Sequence, residues 1–337
     1  MRNYDLNINT IDISEDDLLN LGDGILETLL KDRTTGGNII WATNDYEDQG
    51  NGFSFTDEIT IEKITGKYNQ LIQPRVAKVK VDQRKRSRDM AEVFTPSWIC
   101  NAQNNLVDNA WFGRENVFNT ELNDGETHSW ITQAEPVAIF PEGKDWKTYV
   151  NEPRMEITCG EAPYLVSRYD TTTGIYIPVN ERIGLLDRKM RLVNENTSSN
   201  RIKNKIRNWQ RWAIKAYQST YGFEWQGDNL LLAREAMLMS YIEYYYQKWG
   251  VKPDTSALQK IVEVISWNIW QMDGLTYGIP GVEKPKEEIV TSKRQLSMDF
   301  ECTSEIKSHE RLCRVMDWTS QEPPKGKETI FKELVKQ

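Results

Sequence analysis

One short segment, residues 154–165, combines a carboxylate, a thiol and a glycine in an order that suits ligand binding; it reads Arg-Met-Glu-Ile-Thr-Cys-Gly-Glu-Ala-Pro-Tyr-Leu. Glu156 precedes a short apolar strand pattern, and Cys159-Gly160 forms a turn before a second apolar run. This order is typical of a strand that leads into a ligand-binding loop in a doubly wound sheet. The pattern is common in isolation, so its weight depends on the segments that accompany it.

Three other segments accompany it in a fixed order. Phe-Thr-Pro at 94–96 lies upstream, Tyr-Gly-Phe-Glu-Trp at 221–225 lies downstream, and Asn-Ile-Trp-Gln-Met-Asp-Gly-Leu at 268–275 comes last. A helix is predicted to begin after Thr95-Pro96, because threonine can cap backbone amides and proline suits the first helical position. We expect the fold to bring these segments together around one site.

Strand and helix patterns alternate around these segments, which predicts an α/β fold with a core at 86–281. The strand patterns lie near Met155, at 221–225 and at 265–270, and the helix patterns at 182–219, 229–249 and 253–264. Residues 1–85 combine a leucine-rich helix pattern with turns and two strand patterns at 58–64 and 71–81, which predicts a helical and irregular N-terminal extension. Residues 282–337 are expected to be mobile to about 308 and then to complete the core.

Composition excludes several classes of protein. The chain has 337 residues, is 39% hydrophobic and 27% charged, and contains no run of 18 apolar residues, so no membrane span is predicted. The first residues lack the basic start and apolar stretch of a secretory signal, and four cysteines do not make a disulfide framework in a chain of this length. A cytoplasmic location is therefore expected. With only two histidines and no second close cysteine pair, no metal site is predicted.

The net charge of −8 argues against non-specific coating of nucleic acid, which depends on clustered lysines and arginines. One local exception is residues 78–88, with six basic residues against one acid. Two interpretations remain open: a solvated linker, or a contact to a phosphate backbone or partner subunit. The candidate nucleic-acid-binding residues in this run are Arg84, Lys85, Arg86 and Arg88.

Over residues 84–280, the ordered segments resemble the adenine-specific, amino-group DNA methyltransferases of restriction-modification systems, including the restriction-associated subunit M proteins. In that family a Phe/Tyr-Thr-Pro element covers the methionine part of S-adenosylmethionine, and a loop such as Asp-Pro-Ala-Cys-Gly-x-Gly carries the cofactor. The resemblance implies a Rossmann-like, S-adenosylmethionine-dependent methyltransferase sheet. The cofactor-binding residues that it implies are Phe94, Thr95, Pro96, Glu156, Cys159, Gly160, Glu224, Trp225 and Asp273.

The chemistry of the cofactor fits these residue types. A carboxylate such as Glu224 can accept hydrogen bonds from both ribose hydroxyls, and Cys159-Gly160 permits close approach of the backbone. Trp225, Ile269 or Trp270 could stack on the adenine ring. The resemblance also places Asp273 near the target amine.

The sequence departs from the family pattern in three places. The Asp/Asn/Ser-Pro-Pro-Tyr/Phe tetrapeptide that holds the target amine is missing, and the nearest string, residues 321–326, reads Gln-Glu-Pro-Pro-Lys-Gly. Another segment that could replace the missing tetrapeptide is a strand pattern that ends in Asp317-Trp318. We take these two residues as the candidate catalytic pair. In the second departure, the expected second glycine of the loop is missing, because Gly160 is followed by Glu161, Ala162 and Pro163. In the third, few residues remain after the last strand pattern for further strands and a target-recognition domain.

Two functions therefore stay open. The first is an S-adenosylmethionine-dependent transferase that modifies the exocyclic amine of adenine in DNA, in a restriction-modification or mobile-element context. The second is a catalytically silent subunit that binds cofactor or DNA and needs a partner chain, or acts in specificity or antirestriction. The first implies DNA as a partner, the second allows it, and both allow a second protein subunit.

Overall fold

The N-terminal residues fold by burying a leucine-rich face. The structure, a computed structural model, describes residues 11–78, 95–197, 202–281, 312–319 and 326–335. Helix α1 (Glu15–Leu19) begins at Ser14, whose hydroxyl accepts a hydrogen bond from the backbone N–H of Asp17. Helix α2 (Ile25–Leu30) buries four of its six side chains in the main hydrophobic core.

The strands predicted at 58–64 and 71–81 are wrong within the described residues. Single turns of 3₁₀ helix occupy these stretches instead, at Ile61–Lys63 and Arg75–Ala77. The hydroxyl of Thr65 donates to the carbonyl oxygen of Ile61 at 2.7 Å, which closes the first of these turns. Local apolar alternation could not distinguish such turns from a strand, because it does not show whether a neighbouring strand pairs; among the described residues of these two stretches, Glu58 forms an isolated bridge with Ile40.

The stretch predicted as a loop insertion between residues 111 and 151 has its own structure. Helix α3 (Ser97–Phe112) leads into an antiparallel hairpin of β1 (Asn119–Asn123) and β2 (His128–Thr132). Helix α4 (Trp146–Asn151) follows. Several aromatic rings from these elements meet in one cluster, which explains why this polar stretch stays ordered: Trp111, Phe112, Phe118, Phe140 and Tyr149.

The centre of the molecule is a parallel sheet of three strands with helices between them. In chain order the elements are β3 (Arg154–Glu156), α5 (Leu185–Asn196), α6 (Ile202–Gln218), β4 (Thr220–Glu224), α7 (Gly227–Trp249), α8 (Thr255–Asn268) and β5 (Ile269–Gln271). The strand order is β3-β4-β5, and Met155 pairs with Tyr221 while Phe223 pairs with Trp270. The α/β class is confirmed, and the third strand begins four residues later than predicted, because α8 continues to Asn268.

Two buried polar side chains hold the amino ends of these strands. Lys189 Nζ donates to the carbonyl oxygens of Glu152 and Ser219, at 2.6 and 2.9 Å, just before β3 and β4 begin. Asn268 Nδ2 donates to the carbonyl oxygens of Tyr217, Gln218 and Thr220. Buried carbonyl groups outside a regular ladder need such donors. These contacts therefore fix the strands at one end and leave the other end for a site.

The N-terminal residues pack in the same hydrophobic core as the sheet. Arg234, in α7, is fully buried and donates to the carbonyl oxygens of Leu29, Lys31 and Ile269. The side-chain amide of Gln271 accepts from the backbone N–H of Ile40 and donates to its carbonyl oxygen, both at 2.9 Å. The N-terminal extension is thus attached directly to the last strand of the sheet.

A second hairpin covers one face of the sheet. It consists of β6 (Arg314–Asp317), β7 (Lys327–Ile330) and the short helix α9 (Phe331–Val335). Val315 and Phe331 pack against Phe223 and Trp270 in a small separate core. The molecule is therefore a mixed α/β protein with small sheets. None of the helices in the described residues is long and apolar enough to cross a membrane.

Candidate functional site

The three parallel strands end in polar side chains that meet at the carboxyl edge of the sheet: Glu156, Glu224 and Gln271. The carboxylate of Glu224 accepts a 2.8 Å hydrogen bond from the backbone N–H of Gly160. The carboxylate of Glu156 accepts a longer one, of 3.4 Å, from the N–H of Tyr164. The loop after β3 is therefore held at both ends by carboxylates that close strands. The structure brings the sequence-predicted residues Glu156, Gly160 and Glu224 together.

The loop after β3 has an unusual backbone. Thr158, Gly160 and Ala162 all have positive φ angles, of 48°, 52° and 61°. Residues other than glycine rarely adopt this conformation, and such strain is concentrated at ligand-binding loops. A side chain built on Gly160 would meet no atom within 4 Å, so the loop leaves open space on that side. The missing second glycine of the family pattern is replaced by a strained Ala162.

Two buried carboxyl groups, those of Glu156 and Glu224, lie in the site. Glu156 is 9% exposed, and its Oε2 atom has no hydrogen-bond partner among the residues that the structure describes. Burial raises the pKa of Glu156 well above its ordinary value, and the nearby charge of Glu224 adds to this. Burial also raises the pKa of Glu224 and that of the Cys159 thiol. A positively charged ligand would stabilise the ionised form of both carboxyl groups, whereas an anionic ligand would disfavour it.

The start of α3 lies against the same site. The carbonyl oxygen of Thr95 accepts hydrogen bonds from the Cys100 thiol, at 3.6 Å, and from the Thr171 hydroxyl, at 3.0 Å. Burial, with the charge of Glu156 next, raises the pKa of Cys100 to about 12. The Thr95 element and Glu156 are therefore neighbours. Phe94 lies outside the described residues.

The cap of α3 differs from the prediction. Pro96 is the N-cap residue, rather than the first helical residue, and neither Thr95 nor Pro96 supplies a side-chain cap. Asp170 supplies it instead, because its carboxylate accepts from the backbone N–H of Ser97 at 2.8 Å. That carboxylate also accepts from Thr172 and Thr173. Burial by itself raises the pKa of Asp170, but these hydrogen bonds together outweigh it and lower the pKa to about 2.

Trp225 faces the N-terminal extension. Its indole Nε1 donates to the carbonyl oxygen of Ala42 at 3.2 Å, and its ring lies edge-on to Phe55, with centroids 6.3 Å apart. Residues of the extension therefore cover this side of the carboxyl edge. The indole remains partly exposed beside Glu224.

Asp273 lies two residues beyond β5 at the same edge. Its carboxylate accepts from the backbone N–H of Leu275, at 2.8 Å, and from the hydroxyl of Thr276, at 2.6 Å. It therefore shapes its own turn, as aspartates commonly do. The structure places Asp273 near Glu224 only through the backbone, where Met272 N–H donates to the carbonyl oxygen of Glu224.

The candidate catalytic pair lies at the other end of the strands. The indole Nε1 of Trp318 donates to Asn268 Oδ1 at 2.7 Å, and Asn268 directly precedes β5. Asp317 accepts from the N–H and hydroxyl of Thr319. Asp317 and Trp318 are thus separated from the Glu224–Gly160 contact by the length of β4. The structure does not bring them to the cofactor side.

The basic run at 78–88 is described only at its first residue. Lys78 Nζ lies 3.9 Å from the carboxylate of Asp228, which is fully buried at the start of α7. Tyr46 donates to the same carboxylate at 2.8 Å. The candidate nucleic-acid-binding residues of this run lie outside the described residues: Arg84, Lys85, Arg86 and Arg88.

Sequence reasoning missed two features. Gln271 ends an apolar strand with an amide that binds both Ile40 and Trp225, and a polar residue in that position is a usable signal. The other is α6, which carries five basic residues and no acid between residues 202 and 218. Its net charge of +5 equals that of the run at 78–88 but is spread over 17 residues instead of 11, and the apolar residues at helical spacing led us to interpret it only as a core helix.

Comparisons with protein-family models, with curated proteins and with solved structures find no match to this chain. Within the described residues, no group of three or more His, Cys, Asp and Glu side chains could hold a metal ion. The function must therefore be argued from the site itself.

Proposed function

We propose that the chain is an S-adenosylmethionine-dependent methyltransferase-like protein with a Rossmann-like sheet, acting on the exocyclic amine of adenine in DNA. The restriction-modification or mobile-element context belongs to the same proposal. The observation that carries it is the Glu224–Gly160 hydrogen bond, which joins the acid after β4 to the strained loop after β3. Ligands of open α/β sheets bind at this edge, outside the carboxyl ends of the strands.

The residues at this edge fit the charge of the cofactor. S-adenosylmethionine carries a sulfonium and an ammonium group, and two buried carboxylates with raised pKa values face the loop. Glu156 would hold the ammonium, because its Oε2 atom lacks a partner among the described residues. Glu224 would hold the ribose hydroxyls, since a carboxylate accepts more hydrogen bonds than the two it receives from Gly160 and Gln226.

The bound cofactor would supply an electrophilic methyl group, and the protein would orient the cofactor and exclude water from it. The Thr95 element lies beside Glu156 and would cover the amino-acid end of the ligand, while Trp225 would line the adenine side. Methyl transfer needs an acceptor in line with the sulfonium and shielded from water. Open space beside Gly160 is where that acceptor would enter.

A second candidate function follows from the position of Asp317 and Trp318. Because they lie at the amino ends of the strands, the acceptor-binding groups would come from another chain. The protein would then be a cofactor-binding subunit that is silent alone. Methyl transfer to DNA by the isolated chain distinguishes the enzyme from the subunit.

The test is calorimetric titration of the purified chain with S-adenosylmethionine and, separately, with its demethylated product. Glu224→Ala is expected to weaken binding by about 1 to 3 kcal/mol, the cost of losing a buried charged acceptor. Glu115→Ala is the matched control, because Glu115 is exposed and lies outside the site. Folded protein that binds neither compound would remove the proposal for the isolated chain.

A further inference from the structure

A second concave site lies far from the carboxyl edge. It is a groove of about 740 Å³ between α6 and α8, with Tyr241 of α7 at its base. Tyr241 lies 14 residues after Gly227, the first residue of α7, which corresponds to about 21 Å along the helix. Gly227 itself lies three residues after Glu224, at the carboxyl edge. The groove is therefore separate from the proposed cofactor site.

The walls of the groove carry a row of positive charges. Arg207, Arg211 and Lys215 follow one another at intervals of four residues on α6, so they share one face at steps of about 6 Å. Lys260 stands on α8, on the opposite wall. Among the residues that the structure describes, none of these four side chains forms an ion pair.

Among the described residues that line the groove, the one acid is already engaged. Asp254 is the N-cap of α8, and its carboxylate accepts from the backbone N–H of Ala257 at 2.8 Å. The chain as a whole has a net charge of −8. A concave surface with four unpaired cations in an acidic protein is therefore a local attractor for anions.

Aromatic side chains complete the site. Trp212 lines the groove and is partly exposed, and the guanidinium of Arg211 lies 5.7 Å from the centroid of its ring. The Trp146 ring packs edge-on against it, with centroids 4.7 Å apart, and so holds the indole in place. A fixed, partly exposed indole between cations is a platform on which a flat ring can stack.

We propose that this groove binds nucleoside phosphates, either as part of a single-stranded nucleic acid or as a free nucleotide. Cations at steps of about 6 Å can follow the phosphates of an extended strand, and Trp212 can stack on a base. An acidic protein segment would use the cations but would leave the exposed indole without a flat ring to stack on. The inference does not rest on the proposed cofactor site.

The test is fluorescence anisotropy with a labelled oligothymidylate of about 12 nucleotides, within the range of single-strand binding sites. The triple variant Arg207→Gln, Arg211→Gln and Lys215→Gln should weaken binding more than about tenfold. It should also reduce the slope of log affinity against log salt by about 2, because single strands contribute about 0.7 per phosphate contact. Circular dichroism of each variant checks that it is folded.

A matched triple variant removes the same charge elsewhere. Lys67→Gln, Arg114→Gln and Lys144→Gln change three exposed cations outside the groove and should leave the affinity nearly unchanged. If both triple variants weakened oligothymidylate binding equally, the effect would depend on net charge alone, and the proposed site would be overturned. Lys260→Gln tests the opposite wall by itself and should weaken binding in the same direction.

Two competitors identify the source of the ligand. Displacement of the oligothymidylate by adenosine triphosphate, lost in the Arg207, Arg211 and Lys215 variant, assigns the groove to free nucleotides. Displacement only by unlabelled single strands assigns it to nucleic acid. Tight binding of polyglutamate with no binding of oligothymidylate or adenosine triphosphate would overturn the proposal in favour of an acidic protein partner.

Discussion

Glu224 and Gly160, 64 residues apart in sequence, are joined by a 2.8 Å hydrogen bond from the glycine N–H to the carboxylate. A second backbone N–H, that of Gln226, donates to the other carboxylate oxygen at 3.3 Å. One buried side chain therefore fixes both the loop after β3 and the turn into α7. The contact is structural before any ligand binds, so variants of Glu224 change folding stability as well as affinity.

Glu224→Ala is expected to lower the free energy of unfolding by about 1 to 3 kcal/mol, because two buried amides lose their acceptor. Glu224→Gln should cost less, since its amide oxygen can still accept from Gly160. Urea unfolding followed by tryptophan fluorescence measures both. Equal stability of the Ala variant and the unmodified protein would contradict the role of the contact.

Cofactor binding should strengthen as the pH rises. Burial raises the pKa of Glu156, so the free protein holds this carboxyl protonated above its ordinary titration range, whereas binding of an ammonium requires the ionised form. Binding should therefore release a proton. Calorimetry in two buffers of different ionisation enthalpy counts that proton, and Glu156→Gln should abolish its release.

Stability itself should fall with rising pH because of Glu15. Burial raises the pKa of this residue from 4.5 to about 7, and Asp12 and Glu235 are carboxyls nearby whose pKa values are also raised. Below pH 4.5 both states hold the proton, and between 4.5 and about 7 only the folded state does. The stabilising contribution is thus lost as the pH rises through this window, by about 3 kcal/mol at most.

Glu15→Gln isolates this effect, because the amide keeps an oxygen to accept from the backbone N–H of Gln70. The free energy of unfolding of the variant minus that of the unmodified protein should increase from pH 4.5 to pH 7. Urea unfolding at several pH values provides the difference. A constant difference across this range would show that Glu15 titrates normally.

Gly227→Ala should destabilise the protein even though alanine is the better helix former. A Cβ at this first position of α7 would clash with the carbonyl oxygen of Ile40, which is backbone and cannot rotate away. The cost should be about 1 to 3 kcal/mol. Thermal unfolding measures it, and Ser256→Ala, at an exposed position near the start of α8, is the control that should cost little.

The sequence predicted the centre of the site because the relevant information is local. The strand patterns near Met155 and at 221–225 contain Glu156 and Glu224, and the helix pattern between them favours a parallel arrangement, so both acids were expected around one site. The helices at 182–219 and 229–249 and the break near 194–200 were predicted for the same reason. Local periodicity is enough for such elements.

Partners from distant segments could not be predicted in this way. Asp170 caps α3 from 73 residues beyond Ser97, and the indole of Trp225 is bonded to Ala42, 183 residues before it. Nothing in the composition around Trp318 indicates that its indole binds Asn268. Such contacts depend on how finished elements pack, and no alternation of apolar residues encodes them.

The guanidinium of Arg234 has a consequence for the newly made chain. It binds the carbonyl oxygens of Leu29 and Lys31, which are synthesised about 200 residues earlier. At about 5 to 20 residues per second, about 10 to 40 s pass on the ribosome between the synthesis of α2 and that of Arg234. During that interval the nascent chain exposes an apolar helix, so it should bind ribosome-associated chaperones until both α7 and α8, against which α2 packs, are complete.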